Sequence, residues 1–193
     1  MIKNIFYVTN PHVTDMHKIP SIMEDNGDTV KIFTSKRDLQ QKLSDNEIPD
    51  IIICDRPTFL LTADQIRLVN NNCFNIHPAL LPYNRGYHPN FWSFYEHTPS
   101  GATIHAIDEN IDSGGILAQA EVVFPNTDTL RSSYYTLREL SISLFKITYP
   151  RLRNGYNQLT FKQNNVKQGS IKYKKDFDGL FAKLPMGWDT SIE

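Results

Sequence analysis

Two polar residues at the end of an apolar run are placed for chemistry. In Phe74-Asn75-Ile76-His77-Pro78-Ala79-Leu80-Leu81-Pro82, side chains alternate if the run is a strand. Asn75 and His77 then share one face while Phe74 and Ile76 take the other. A carboxamide donates hydrogen bonds to a developing oxyanion. An imidazole does the same when charged, or moves a proton near neutral pH. A loop asparagine beside a packed structural histidine explains the same spacing, and spacing alone leaves both open. A second polar stretch is Asp108-Glu109-Asn110-Ile111-Asp112-Ser113-Gly114-Gly115. A carboxylate from it can fix the tautomer of His77 and raise its pKa. An ordinary β-turn has the same composition. His77, His88, His97 and His105 lie close in sequence but lack His-x-x-x-His spacing and have no Cys pair beside them, so a metal site is not expected.

The elements that must position these groups follow a βα order. Ile2 to Val8 and Thr29 to Phe33 have strand patterns. Ser35, with Asp38 three residues on, starts a helix that Pro49 ends. Asp50 to Cys54 is β-branched without alternation, as in a strand covered on both faces. Thr62 with Gln65 forms a capping box for a helix to about Val69, broken by Asn70-Asn71-Asn72. Cys73 to His77 is the next strand, and Gly101 to Asp108 and Ile116 to Phe124 are two more, the last half-buried. From Thr127, apolar residues at 130, 134, 137, 140, 144 and 147 predict an amphipathic helix of about 20 residues, ending near Pro150 or before Gly155. This order predicts an α/β fold, a mostly parallel sheet flanked by helices.

The 193 residues, 40% apolar and 21% charged, suit one domain with a core. No run of about 18 apolar residues is present, and the first 20 residues lack the apolar stretch of a signal peptide. Two cysteines are too few for a disulfide framework, which favours a reducing, cytoplasmic setting. A net charge of -1 argues against a general nucleic-acid binder. Residues 150–193 carry 8 Lys+Arg against 4 Asp+Glu, so this tail is basic; a solvated surface and an anion-binding face both account for it.

Asn75-x-His77-Pro78-x-Leu80-Leu81-Pro82, Arg85-Gly86, Thr103-Ile104-His105, Ile111-Asp112-Ser113-Gly114 and Leu117-x-Gln119 together resemble the folate-dependent formyltransferases, densely over about residues 50–122. The resemblance implies a Rossmann-like catalytic domain, over 1–155, with a short C-terminal extension, 156–193, as a strand or hairpin. It implies 10-formyltetrahydrofolate as formyl donor, no metal, and a catalytic set that maps onto Asn75, His77 and Asp112, with Asp108 as the alternative carboxylate. In that scheme Asn75 and protonated His77 stabilise the oxyanion, and Asp112 holds His77 and helps remove the amine proton. The folate cleft would draw on Arg56 to Leu61 and on Asp108 to Ile111, with Phe59, Leu60, Leu61, Asp108 and Ile111 as lining residues.

The amine acceptor is narrowed by what the sequence lacks. After the first strand stands Tyr7-Val8-Thr9-Asn10-Pro11-His12, without the Gly-rich phosphate loop of the glycinamide-ribonucleotide members. The methionyl-tRNA members carry a further domain of which little room remains here. Tyr83-Asn84-Arg85-Gly86-Tyr87-His88-Pro89-Asn90-Phe91-Trp92-Ser93, Lys174-Lys175-Asp176-Phe177 and Gly187-Trp188-Asp189-Thr190 look like the sugar N-formyltransferases. The implied acceptor is a nucleotide-linked amino sugar, a dTDP-sugar first, with Tyr83, Arg85, Tyr87, Trp92 and Lys174 as its contacts. The implied assembly is a homodimer, with no nucleic-acid or membrane partner. A glycinamide-ribonucleotide-type transferase and a formyltetrahydrofolate hydrolase are the alternatives.

Overall fold

The computed structural model describes residues 1–155, 160–163 and 171–192. Six strands form one sheet: β1 (Asn4–Thr9), β2 (Thr29–Phe33), β3 (Ile51–Asp55), β4 (Cys73–His77), β5 (Ser100–Ala106) and β6 (Ile116–Val122). Their order is β2-β1-β3-β4-β5-β6. The first four run parallel, and β5 and β6 are antiparallel. Helices α1 (Lys18–Asp25), α2 (Lys36–Ser44), α3 (Ala63–Leu68), α4 (Pro89–Tyr95), α5 (Leu130–Arg153) and α6 (Lys174–Phe181) flank it. This is the Rossmann-like α/β architecture that the sequence predicts.

Strands β1, β3 and β4 are buried on both sides, while the edge strand β2 exposes Thr29 and Lys31, and alternation sorts their residues. Ile5, Tyr7, Ile51, Ile53, Phe74 and Ile76 join α1 and α5 in one core cluster, where Ile19, Met23, Phe145 and Tyr149 meet them. Phe6, Val8, Ile52, Cys54 and Cys73 join Leu39, Leu43 and Ile66 of α2 and α3 in the other. Asn75 and His77 follow Cys73 on this second face, where the apolar packing runs out at the carboxyl end of β4.

Several boundaries differ from expectation. Helix α1 carries no side-chain cap at His17 and lasts one short stretch, so only its buried Ile19, Ile22 and Met23 hold it, a pattern too brief to detect. Helix α2 stops well before Pro49, because Asn46 turns left-handed at φ 62°; of the expected capping box at Ser35 only the bond from Asp38 N–H to Ser35 forms. Both arms form at Thr62 and Gln65. Helix α5 runs through Pro150 to Arg153, and its buried face is Leu130, Ser133, Leu137, Ser141, Phe145, Thr148, Tyr149 and Leu152, while Ile147 is exposed. The polar members fit because Ser141 and Thr148 donate to the carbonyls of Leu137 and Leu144. After residue 155 the described part is chiefly helical rather than a strand or hairpin. Asp176 accepts from Tyr173 N–H at the start of α6, and Phe177, Leu180 and Phe181 pack with Phe91 and Trp92. Among the described residues, the extended contacts of this part are single bridges, Ile116 with Phe161, Gly86 with Lys172 and Thr129 with Ser191.

At the carboxyl ends of β1 and β3 an ion network fastens α5 to the sheet. The Arg138 guanidinium donates to Asp55 at 3.0 Å and to Asp15 at 2.5 Å. Arg56 donates to Asp15 at 2.8 Å and to the Tyr134 hydroxyl at 2.7 Å. Tyr7 donates to the other oxygen of Asp55 at 2.6 Å.

Candidate active site

Four polar side chains converge beyond β4. Asn75 Nδ2 donates to Asp112 Oδ1 at 3.1 Å and lies 3.3 Å from His105 Nε2. Asp112 Oδ2 stands 3.5 Å from His77 Nδ1, and Asp112 Oδ1 stands 3.4 Å from His105 Nε2. The antiparallel register sets His105 directly opposite Asn75. His77 Nε2 faces the Asn84 carbonyl at 3.1 Å, and His105 Nδ1 faces the Ala106 carbonyl at 2.8 Å. Both imidazoles are thus held from behind by a backbone acceptor, with the opposite nitrogen turned to Asp112. Asn75 Oδ1 is buried and has no hydrogen-bond partner. Flipping the amide would set that oxygen against the carboxylate, so the orientation is fixed by charge.

The electrostatics set the resting protonation. Burial alone would raise the Asp112 carboxyl, but the His77 charge, the His105 contact and the Gly86 N–H together hold it well below the usual carboxylate range. For His77, burial is the largest influence and pushes the imidazole below its ordinary 6.5, against the upward pull of Asp112. A raised His77 was expected. Its burial, at 4% exposure, outweighs the carboxylate, so the resting site holds an ionised Asp112 and a neutral His77.

Backbone geometry brings the acidic loop this close. Asp112 itself adopts φ 49°. Gly114 is pressed so tightly on the end of β5 that a Cβ there would collide with the Ala106 carbonyl. Gly86, at φ 93°, donates its N–H to Asp112 Oδ2 at 2.9 Å. The loop after β4 is fastened by Thr103, whose hydroxyl donates to the Ala79 carbonyl at 2.7 Å and accepts from Leu81 N–H and from Gln119.

A family model for formyl transferases matches residues 12–146, more than half of the chain. The chain belongs to the formyl transferase family. Among curated formyltransferases, the Mycobacterium bovis dTDP-4-amino-4,6-dideoxyglucose formyltransferase is 35% identical over 108 residues, which are 56% of this chain. The chain spans about half the length of such relatives, 45% in this case. Among solved structures, the formyltransferase PseJ from Anoxybacillus kamchatkensis, in complex with UDP-4,6-dideoxy-4-formamido-L-AltNAc and tetrahydrofolate, superposes with a TM-score of 0.85 at 31% identity, covering 98% of this chain and 95% of that one. A 4-N formyltransferase from Francisella tularensis gives a TM-score of 0.77 at 25% identity, covering 93% and 79%.

The formyltransferase residues expected from sequence are placed unevenly. Asn75, His77 and Asp112 meet. Asp108 is exposed and accepts from Asn110 N–H and the Ser113 hydroxyl, so it shapes its own loop and does not face the imidazole. Phe59 and Leu61 are half-buried beside Ile107 on the second core cluster, Ile111 is half-buried, and Leu60 is 63% exposed. Arg67 of α3 reaches Glu109 of the acidic loop at 3.6 Å. Of the expected sugar contacts, Arg85 lies by the site with its fork on Gln163. Tyr83 is half-buried in the same loop, and Tyr87 is 36% exposed against His88. Trp92 is corrected to a core residue: it is 4% exposed, donates to the Tyr87 carbonyl, and lies under the Lys172 ammonium. Lys174 is exposed and paired with Asp178 at 2.5 Å. His105 was legible only as part of a motif; its role needed the strand register.

Proposed function

We propose that this chain transfers the formyl group of 10-formyltetrahydrofolate to the amino group of a nucleotide-linked amino sugar. The observation that carries this reading is the meeting of Asn75, His77 and Asp112 at the end of β4. The relatives supply the acceptor class. The Mycobacterium relative is named for a dTDP-linked 4-amino sugar, and the PseJ structure holds a UDP-linked 4-formamido sugar with tetrahydrofolate. A 4-amino-dideoxyhexose on a dTDP or UDP carrier is therefore our acceptor, made for a surface polysaccharide, and the two free buried cysteines suit a cytoplasmic enzyme.

The donor set fits a formyl donor and an amine. Asn75 Oδ1, buried and unpaired, is an acceptor that an incoming amine N–H satisfies. As the amine attacks the formyl carbon, the carbonyl electrons move to oxygen. Asn75 turns one N–H from Asp112 onto that oxyanion. Asp112, already ionised, attracts the new ammonium and bridges it to His77 Nδ1, which takes the proton because a neutral imidazole is the stronger base of the two. The proton passes on to the folate nitrogen as the carbon–nitrogen bond to it breaks, leaving the formamide and tetrahydrofolate. Arg85 is the cation we assign to the nucleotide diphosphate, Lys174 a peripheral one.

A panel of dTDP-, UDP- and GDP-linked amino sugars, incubated with the formyl donor and read by mass gain of one formyl group, tests this. Gain on a 4-amino sugar is expected. Gain on glycinamide ribonucleotide alone, or formate release without any amine, overturns the acceptor. We further propose a homodimer, which sedimentation would check.

A further inference from the structure

Gln163 belongs to none of the motifs above, yet its side chain touches three parts of the site. It comes from residues 160–163, which return after α5 and lie along the start of β6, where Phe161 and Ile116 exchange both backbone hydrogen bonds at 2.8 and 2.7 Å. From there Gln163 Nε2 donates to the Asp112 carbonyl at 2.9 Å and to the Gly114 carbonyl at 2.8 Å. Its Oε1 accepts from Arg85 Nε at 3.1 Å and Nη2 at 2.7 Å. Every hydrogen of the amide nitrogen and the amide oxygen are thus engaged. The two carbonyls it grips flank Ser113, in the turn where Asp112 is left-handed at φ 49°. An aspartate in that conformation is strained and persists only where its surroundings over-determine it. The Asp112 carboxylate is held from its far side by Gly86 N–H. Gly86 in turn sits between Arg85 and Tyr87, whose carbonyl and N–H pair with the backbone of Lys172 at 2.8 and 2.9 Å. Two C-terminal segments therefore buttress one catalytic carboxylate.

We propose that Gln163 is a positioning residue of the formyl-transfer site: its amide holds Asp112 at the angle that meets His77 and locks the acidic loop to Arg85. The role rests on the proposed reaction. Gln163 touches no reacting atom; it acts through Asp112. An aspartate displaced by about 1 Å loses roughly 100-fold in rate, and the loss falls on kcat, with any change in KM confined to the nucleotide sugar that Arg85 is assigned to hold.

Two substitutions separate the contacts. Gln163→Met keeps length and removes all hydrogen bonds. Gln163→Glu keeps, and charges, the acceptor for Arg85 but sets oxygen against the Asp112 and Gly114 carbonyls. Both are expected to lower kcat by roughly 100-fold with the KM for the formyl donor nearly unchanged. Normal turnover in Gln163→Glu would assign the residue to Arg85 alone and overturn the proposal, as would a loss confined to KM. Imidazole titration by NMR gives a readout without turnover. Asp112 pulls His77 upward, so in Gln163→Met the His77 pKa is expected to fall, and an unmoved titration in a folded variant overturns the proposal. A parent enzyme inactive on every acceptor would sink the proposed reaction instead, while the titration still decides the placement of Asp112.

Discussion

Two buried polar clusters sit at the carboxyl ends of neighbouring parallel strands, and they are built on opposite rules. At β1 and β3, two carboxylates face two guanidiniums, their charges cancel, and all four carboxylate oxygens of Asp15 and Asp55 meet a donor. Burial would raise the Asp15 carboxyl, but Arg138 and Arg56 hold it below its usual value. At β4, one carboxylate faces two imidazoles and an amide. An acceptor there lies unpaired, an aspartate adopts positive φ, and an imidazole is held below its ordinary value by burial. In the first network Arg138 Nη2 makes no hydrogen bond, yet it lies 3.0 Å from Asp55 Oδ2, so its charge is matched; in the second a neutral acceptor has no partner, which keeps capacity for a ligand. The open α/β rule places ligands at the crevice where strand order reverses, which here lies between β1 and β3. This chain fills that crevice with its own ion pairs and moves its reactive groups one strand along.

The contrast breaks or holds on paired substitutions. Arg138→Met removes one partner of a buried network and leaves Arg56 alone against two carboxylates, so about 3–5 kcal/mol of stability should go, read by denaturant midpoint, with kcat of the folded fraction preserved. Asn75→Ala should do the reverse: turnover falls roughly 100-fold or more for loss of an oxyanion donor, while the midpoint stays near the parent's. A large midpoint loss for Asn75→Ala, or a turnover loss for folded Arg138→Met, would erase the distinction.

The reactive cluster was the more legible of the two. Period-two spacing at the end of an apolar run sets Asn75 and His77 on one face, but that spacing fits a packed structural pair as well, and it is the wider motif from Asn75 to Gln119 that marks them. Asp112 is an ordinary turn residue by composition, and the Ile111-Asp112-Ser113-Gly114 motif is what favours it over Asp108, whose carboxylate the structure turns onto its own loop. His105 depends on antiparallel register, which no local pattern gives. Gln163 is a single amide in a stretch without periodicity. Asp15, Asp55, Arg56 and Arg138 come from distant segments, and charges scattered so widely look like solvated surface until the fold gathers them. Trp92 misled for the opposite reason: an aromatic near the site suggests sugar stacking, but α4 turns it into the cluster with Phe91 and Phe177.

A smaller effect sharpens the electrostatic half of the comparison. His77 serves as base only when neutral, and burial keeps it neutral below the ordinary 6.5. The acid limb of kcat/KM, which reports the free enzyme, should therefore fall below 6.5. In Asp112→Asn the carboxylate that raises His77 is gone, so the limb of the residual activity should move lower still. An upward move would mean that Asp112 itself, rather than His77, is the titrating base.

The smallest effect belongs to His88, a histidine outside both clusters. It precedes α4 at φ 51° and stacks on Phe177 with ring centroids 4.2 Å apart. Burial pushes its imidazole down to about 4, with Asp178 pulling upward and Lys174 downward. The unfolded chain takes up this proton near the ordinary 6.5, the folded one only near 4, so the unfolded state binds more protons in between. Stability is then fully present above about 6.5, declines as pH falls toward about 4, and levels below it. His88→Asn tolerates the left-handed backbone and does not titrate. It should melt lower at neutral pH for want of the ring, yet lose less on acidification than the parent. His77 retains its own depressed imidazole, so the slope shrinks without vanishing. Equal slopes in parent and variant would show that the aromatic pocket leaves His88 open to protons, and that burial governs titration only at the reactive cluster.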